Sequence, residues 1–105
     1  MPPAPGEIYQ ARLQVGYSTD IRPCIIIDPP LRRKISVCAL SSQFDLFDRR
    51  THFRIDSGAD DFGETGLNKS CYVIEDVIEI DESVLIRKRG QLSGQMAIDF
   101  FGWLE

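Results

Sequence analysis

Histidine occurs once in the 105-residue chain, at His52, and cysteine three times, at Cys24, Cys38 and Cys71. A lone imidazole with no HExxH pattern leaves no histidine set to hold a catalytic metal. An odd number of cysteines without a CxxC pair makes no disulfide framework. Each cysteine lies in a β-like apolar run, so the expectation is three buried, reduced thiols and a reducing compartment, the cytoplasm. No apolar run approaches the length of about 18 residues that a membrane-spanning helix needs. The opening MPPAPGEIYQ has neither a basic region nor an apolar core, and no secretory leader is expected. GxGxxG, GxxxxGK[ST] and GxSxG are missing, which leaves nucleotide cofactors without an evident cradle. A basic excess is missing too: 12 Lys and Arg face 16 Asp and Glu, a net charge of −4. Any polyanion would have to bind a local basic patch, and three short runs supply candidates: Arg32-Arg33-Lys34, Arg49-Arg50 with His52 and Arg54, and Arg87-Lys88-Arg89.

What is present is ordinary globular material, 43% apolar, enough for one domain over residues 1–105 with a flexible proline-rich lead-in over 1–5. From Glu7 to Val15 the pattern alternates, with Tyr9, Ala11, Leu13 and Val15 on one face. Residues 22–28 (RPCIIID) form a continuous apolar run that reads as a strand buried on both faces, with Pro23 at its start. Further strands are expected over 34–40, 52–56, 69–81 and in the IRKRGQL stretch. GYSTD and PPLRR are breaks between strands. Asp81 is placed to cap a single helical turn. At the end, Met96, Phe100 and Leu104 recur every four residues beside Ala97 and Phe101, a helical period with Ser93 as its N-cap. That stripe, with Trp103, is apolar around more than one face, which predicts a homodimer. Short strands, frequent turn signals and one terminal helix predict a mainly β (α+β) fold: a small SH3-like barrel with a C-terminal helix.

Five pieces in order, GEIYQARL at 6–13, RPCIIID at 22–28, CALSSQ at 38–43, TGLNKSCYVIEDVIEID at 65–81 and LIRKRGQLS at 85–93, resemble the PemK/MazF-like family, the toxin half of bacterial type II toxin–antitoxin pairs. The resemblance covers nearly the whole chain. It implies a homodimeric SH3-like barrel that cuts single-stranded RNA without metal or cofactor. In that chemistry the 2′-hydroxyl attacks its own phosphate and leaves a cyclic phosphate and a 5′-hydroxyl. The family's arginine falls on Arg22, its hydroxyl on Ser41, and the carboxylate of one plasmid-borne branch on Glu75. Where that branch has a second arginine, this chain has Val73. The partners implied are RNA and a cognate antitoxin whose acidic segment covers a basic groove, with DNA reached only through the antitoxin and no membrane.

The residue types suit the roles. A guanidinium is always charged and binds two phosphate oxygens at once, so it meets the negative charge that grows in a pentavalent phosphorane. A serine hydroxyl donates to a phosphate oxygen. Arginine is too weak a base to take the 2′-hydroxyl proton, which leaves Glu75 or His52 for that step. Tyr17, Gln43 and His52 are candidate RNA contacts, with Tyr17, beside Phe44 and Phe47, a candidate for base stacking. The alternative is an SH3-like interaction module that keeps the fold without the chemistry.

Overall fold

The computed structural model describes residues 2–15 and 17–105, the side chain of Val15 excepted. Alternation sets the first strand, β1 (Glu7–Val15): Ala11 and Leu13 are buried, while Arg12 and Gln14 face solvent. The Val15 face assignment lies outside the described residues. β1 runs antiparallel to β2 (Ser18–Leu31), in register from Ile8 opposite Ile25 to Val15 opposite Ser18. The turn is therefore shorter than GYSTD suggests, because Ser18, Thr19 and Asp20 already pair with β1.

β2 is the central strand, and its Cys24, Ile25 and Ile26 are fully buried, as a strand covered on both faces requires. Pro23 does not start this strand but sits within it, opposite Gln10. It is tolerated because β3 (Lys34–Ser41) begins to pair only at Cys24, opposite Ala39. The missing N–H thus falls where β2 has a single neighbour. Nor do Pro29 and Pro30 end the strand. Pairing with β1 has stopped at Ile25, so β2 is an edge there, and its ladder to β3 shifts twice between Ile26 and Leu31. The reversal falls on Arg32 and Arg33, at φ 52° and 70°. This is the left-handed pair that a two-residue hairpin demands.

β5 (Cys71–Asp81) pairs with β3, β4 (Phe53–Ile55) with β5, and β6 (Leu85–Gln91) with β1, giving one antiparallel sheet in the order β4-β5-β3-β2-β1-β6. Between β5 and β6, Asp81 accepts the Ser83 N–H at 2.9 Å and starts the single turn Glu82–Val84.

The sheet's two ends are joined by a backbone crossing rather than a ladder. The helical turn Phe62–Thr65 ends at Gly66 (φ 72°). A Cβ on Gly66 would stand 2.0 Å from the Arg89 carbonyl oxygen, and one on Gly90 would stand 2.2 Å from that of Glu64. Only two glycines let these chains lie so close. Buried Thr65 holds the turn, donating to the Phe62 carbonyl at 2.6 Å and accepting the Leu67 N–H at 3.2 Å.

The bent sheet encloses two cores. One is built from Ala11, Leu13, Cys24, Ile26, Ile35 and Val37. The other, including Ile8, Ile25, Leu40 and Val73, is closed by α1 (Gly94–Leu104) through Met96 and Phe100. Ser93 makes no side-chain cap. Asp61, more than thirty residues upstream, accepts the Met96 N–H at 3.2 Å instead. Ala97, Phe101, Trp103 and Leu104 pack against the same core, and of the apolar side chains of α1 only Ile98 is exposed. The helix stripe is therefore taken up by this chain's own core. The exposed apolar residues of the sheet include Val77 and Ile78 on β5. Among the described residues no helix is long and apolar enough to cross a membrane.

Candidate functional site

A cavity of about 270 Å³ opens beside residues 20–23 of β2, just before that strand meets β3, where β3 leaves the sheet and the Asn68-Lys69 loop passes on its way to β5. Arg22, Ser41 and Gln43 all line it, so three residues singled out in the sequence meet at one place. Arg22 is paired with Ala11 in the ladder, immediately before Pro23. Its backbone is fixed by the sheet while its side chain remains 28% exposed. Its Nε lies 3.8 Å from Asp20 Oδ2. A pair that long and that wet contributes little, so an incoming phosphate can compete for the guanidinium.

Ser41 ends β3, opposite Tyr72 of β5. Its Oγ accepts the Gln43 N–H at 3.2 Å. That bond uses a lone pair and leaves the hydroxyl proton for donation into the cavity. The chain beyond Ser41 is anchored by rings: Phe44 and Phe47 each lie 5.5 Å from Tyr72, and the Arg54 guanidinium sits 4.9 Å above Phe44. Phe44 and Phe47 thus brace the loop that carries Ser41 and Gln43.

Lys69 and Arg89 line the same cavity, as does Asn68. Asp20 is the one acid among the lining residues, so three cations face one carboxylate in a protein of net charge −4. Cys71 lies at the cavity wall, and burial pushes its thiol up, keeping it protonated.

The other sequence candidates stand elsewhere. Glu75 lines a separate cavity with Arg50, Thr51 and the C-terminal end of α1. His52 is stacked 4.8 Å from Tyr72, and its Nδ1 accepts the Asp48 N–H at 3.0 Å, which occupies that nitrogen's lone pair. Tyr17 stands fully exposed at the β1–β2 turn. Of the basic runs, Arg32-Arg33-Lys34 surrounds the far hairpin turn, and Arg49-Arg50 lies on the Glu75 side; neither rims the Arg22 cavity. Arg89, the last residue of the Arg87-Lys88-Arg89 run, does line it, whereas Lys69 belongs to no basic run. A register shift in β6 decides where Arg89 points, and nothing local announces it.

A family model described as the PemK-like, MazF-like toxin of type II toxin–antitoxin systems matches residues 4–99 of the chain. Among solved structures, an endoribonuclease in complex with its cognate antitoxin, from Mycobacterial species, is similar in fold. It is 17% identical, with a TM-score of 0.66 over 97% of this chain and 90% of that one. No curated protein matches the chain in sequence.

Proposed function

The chain belongs to the PemK-like, MazF-like toxin family of type II toxin–antitoxin systems, and from that premise we propose that it is an endoribonuclease whose Arg22–Ser41 cavity cuts single-stranded RNA in the cytoplasm. The observation that carries the reading is the convergence of Arg22, Lys69, Arg89 and the free hydroxyl proton of Ser41 in one cavity of an acidic protein. The substrate's 2′-hydroxyl gives up its proton and attacks the adjacent phosphorus. The bond to the 5′-oxygen breaks, that oxygen takes up the proton that Asp20 has received from the 2′-hydroxyl, and a 2′,3′-cyclic phosphate and a 5′-hydroxyl remain. Arg22 holds two phosphate oxygens as charge grows on them, and the Ser41 hydroxyl donates a further hydrogen bond to one of them. Asp20 is the carboxylate in the cavity and takes the role of base, for which neither Glu75 nor His52 is placed within one chain. All the roles fall to side chains, so no metal is required.

A cognate antitoxin would silence the site by laying an acidic segment over the three cations. A second copy of the chain would cover Val77 and Ile78 on β5. A second reading, a binding module without chemistry, draws on the separation of Glu75 from Arg22. One experiment separates them. Purified protein is incubated with a long single-stranded RNA in EDTA and the fragment ends are mapped. Cyclic phosphates and 5′-hydroxyls are expected. Cleavage abolished by EDTA and restored by magnesium would overturn the metal-free mechanism, and RNA bound but uncut would favour the module.

A further inference from the structure

Arg89 is aimed by a defect in its strand. The β1–β6 ladder pairs Ile8 with Gly90 and Tyr9 with Lys88, so Arg89 is the extra residue of a bulge. Bulges of this kind turn a side chain out of the regular alternation and cluster beside active sites. Lys88, its neighbour, is spent on Glu7, 2.6 Å away. Arg89 instead donates from Nη1 to Gln10 Oε1 at 3.0 Å and from Nη2 to the Gly66 carbonyl at 2.7 Å. Both acceptors are neutral. They fix the plane of the guanidinium and use two of its five N–H donors, but they cancel none of its charge. Among the described residues no carboxylate pairs with it, although it is half-buried on the wall of the cavity that holds Arg22 and Ser41.

A half-buried cation that is rigidly held and lacks a counter-ion is costly unless an anion arrives to complete it. A merely structural tie to Gly66 would be served by a neutral donor. We propose that Arg89, with Lys69 beside it, forms a second phosphate subsite that grips the phosphodiester adjacent to the one at Arg22. The subsite rests on the RNA-cleavage reading for the identity of its ligand.

The test uses the full chain and a single-stranded RNA oligonucleotide whose 2′-hydroxyls are all methylated, so that it binds without being cut. Affinity is measured across a range of salt for the wild type, Arg89→Gln and Arg89→Lys, with a melting curve for each. Arg89→Gln is expected to bind about tenfold more weakly, the worth of a charge-assisted contact. It should also lower the slope of log affinity against log salt by about 0.7, as loss of one single-strand phosphate contact does. Arg89→Lys should keep the wild-type slope and recover part of the affinity. An unchanged slope in a folded Arg89→Gln protein overturns the subsite and leaves Arg89 as a pin for Gly66. If Arg89→Gln does not fold, Arg89→Lys decides, because wild-type affinity there would overturn the gripping fork. Binding with the expected slopes but no cleavage of unmodified RNA would overturn the nuclease reading and keep the subsite. Cleavage with an unchanged slope would do the reverse, and no binding by the wild type would overturn both.

Discussion

A guanidinium carried within a paired strand is held by the sheet rather than by its own side-chain contacts, and that is the situation of Arg22. Its ladder partner is Ala11 and its ion pair to Asp20 is long and partly exposed. Replacing it therefore removes chemistry and leaves the fold. Arg22→Lys keeps the charge but loses the fork that spans two oxygens, so cleavage should fall about a hundredfold to a thousandfold, nearly as far as in Arg22→Ala. The loss should appear in kcat more than in KM, because the added negative charge exists only in the transition state. Near-normal cleavage by a folded Arg22→Ala protein would remove this residue from the mechanism. Ser41→Thr should be tolerated, whereas Ser41→Ala should lose rate and also leave the Gln43 N–H without its acceptor. Arg22, Ser41 and Gln43 were readable as candidates because the family likeness marks the RPCIIID and CALSSQ pieces that carry them. Lys69 belongs to no basic run and Arg89 stood out only within Arg87-Lys88-Arg89; a loop and a bulge bring the two to the cavity, and both are tertiary facts.

At the scale of elements, the strands were legible wherever one face is buried. Ala11 and Leu13 alternate with Arg12 and Gln14, and the Cys24–Ile26 run has no polar face at all. Breaks were misread where turn residues sit in an edge. Pro29 and Pro30 stay within β2 because no neighbour there needs their N–H. The start of α1 was legible, with Ser93 at the N-cap position, but the group that caps it was not, because Asp61 comes from far away in sequence. Asp61→Ala should therefore destabilise the protein by about 1 kcal/mol. For a domain this small that is a drop of several degrees in Tm. Ser93→Ala should leave Tm almost unchanged, and the opposite ranking would return the cap to Ser93. The glycine crossing makes a harder demand. A methyl group at Gly90 would meet the Glu64 and Thr65 backbone, which cannot step aside as a side chain can. Gly90→Ala should cost about 3 kcal/mol or more, whereas Ala at Gly63, where nothing stands within 4 Å, should cost little. Equal melting temperatures for the two variants would mean that the crossing does not hold the barrel together.

For the molecule as a whole, the two cores and the ion pair at its edge set a pH window for stability. Burial pushes the Cys24 thiol up to about 12 and the Cys38 thiol to about 11, and burial together with Glu7 raises the Tyr9 hydroxyl. These groups release protons from the unfolded chain first, near their ordinary values of 9.0 and 10.0, while the folded chain still holds them. Their contribution is complete below pH 9 and is lost as pH rises through 11 and 12. On the acid side burial, the largest single influence, raises the Glu7 carboxyl, but the hydrogen bonds from Lys88 and the Ala4 N–H and the charge of Lys88 together outweigh it, so its carboxyl lies below the ordinary 4.5. Its contribution is present above that value and lost as pH falls further. The melting temperature should therefore be nearly flat between about pH 5 and 9 and should fall more steeply above 9 than below 5, because several buried groups titrate on the alkaline side. Replacing both Cys24 and Cys38 with alanine should lower Tm at neutral pH by opening cavities, yet make the alkaline fall shallower. That combination separates proton linkage from packing. An alkaline limb as steep in the double variant as in the wild type would show that the thiols do not set it.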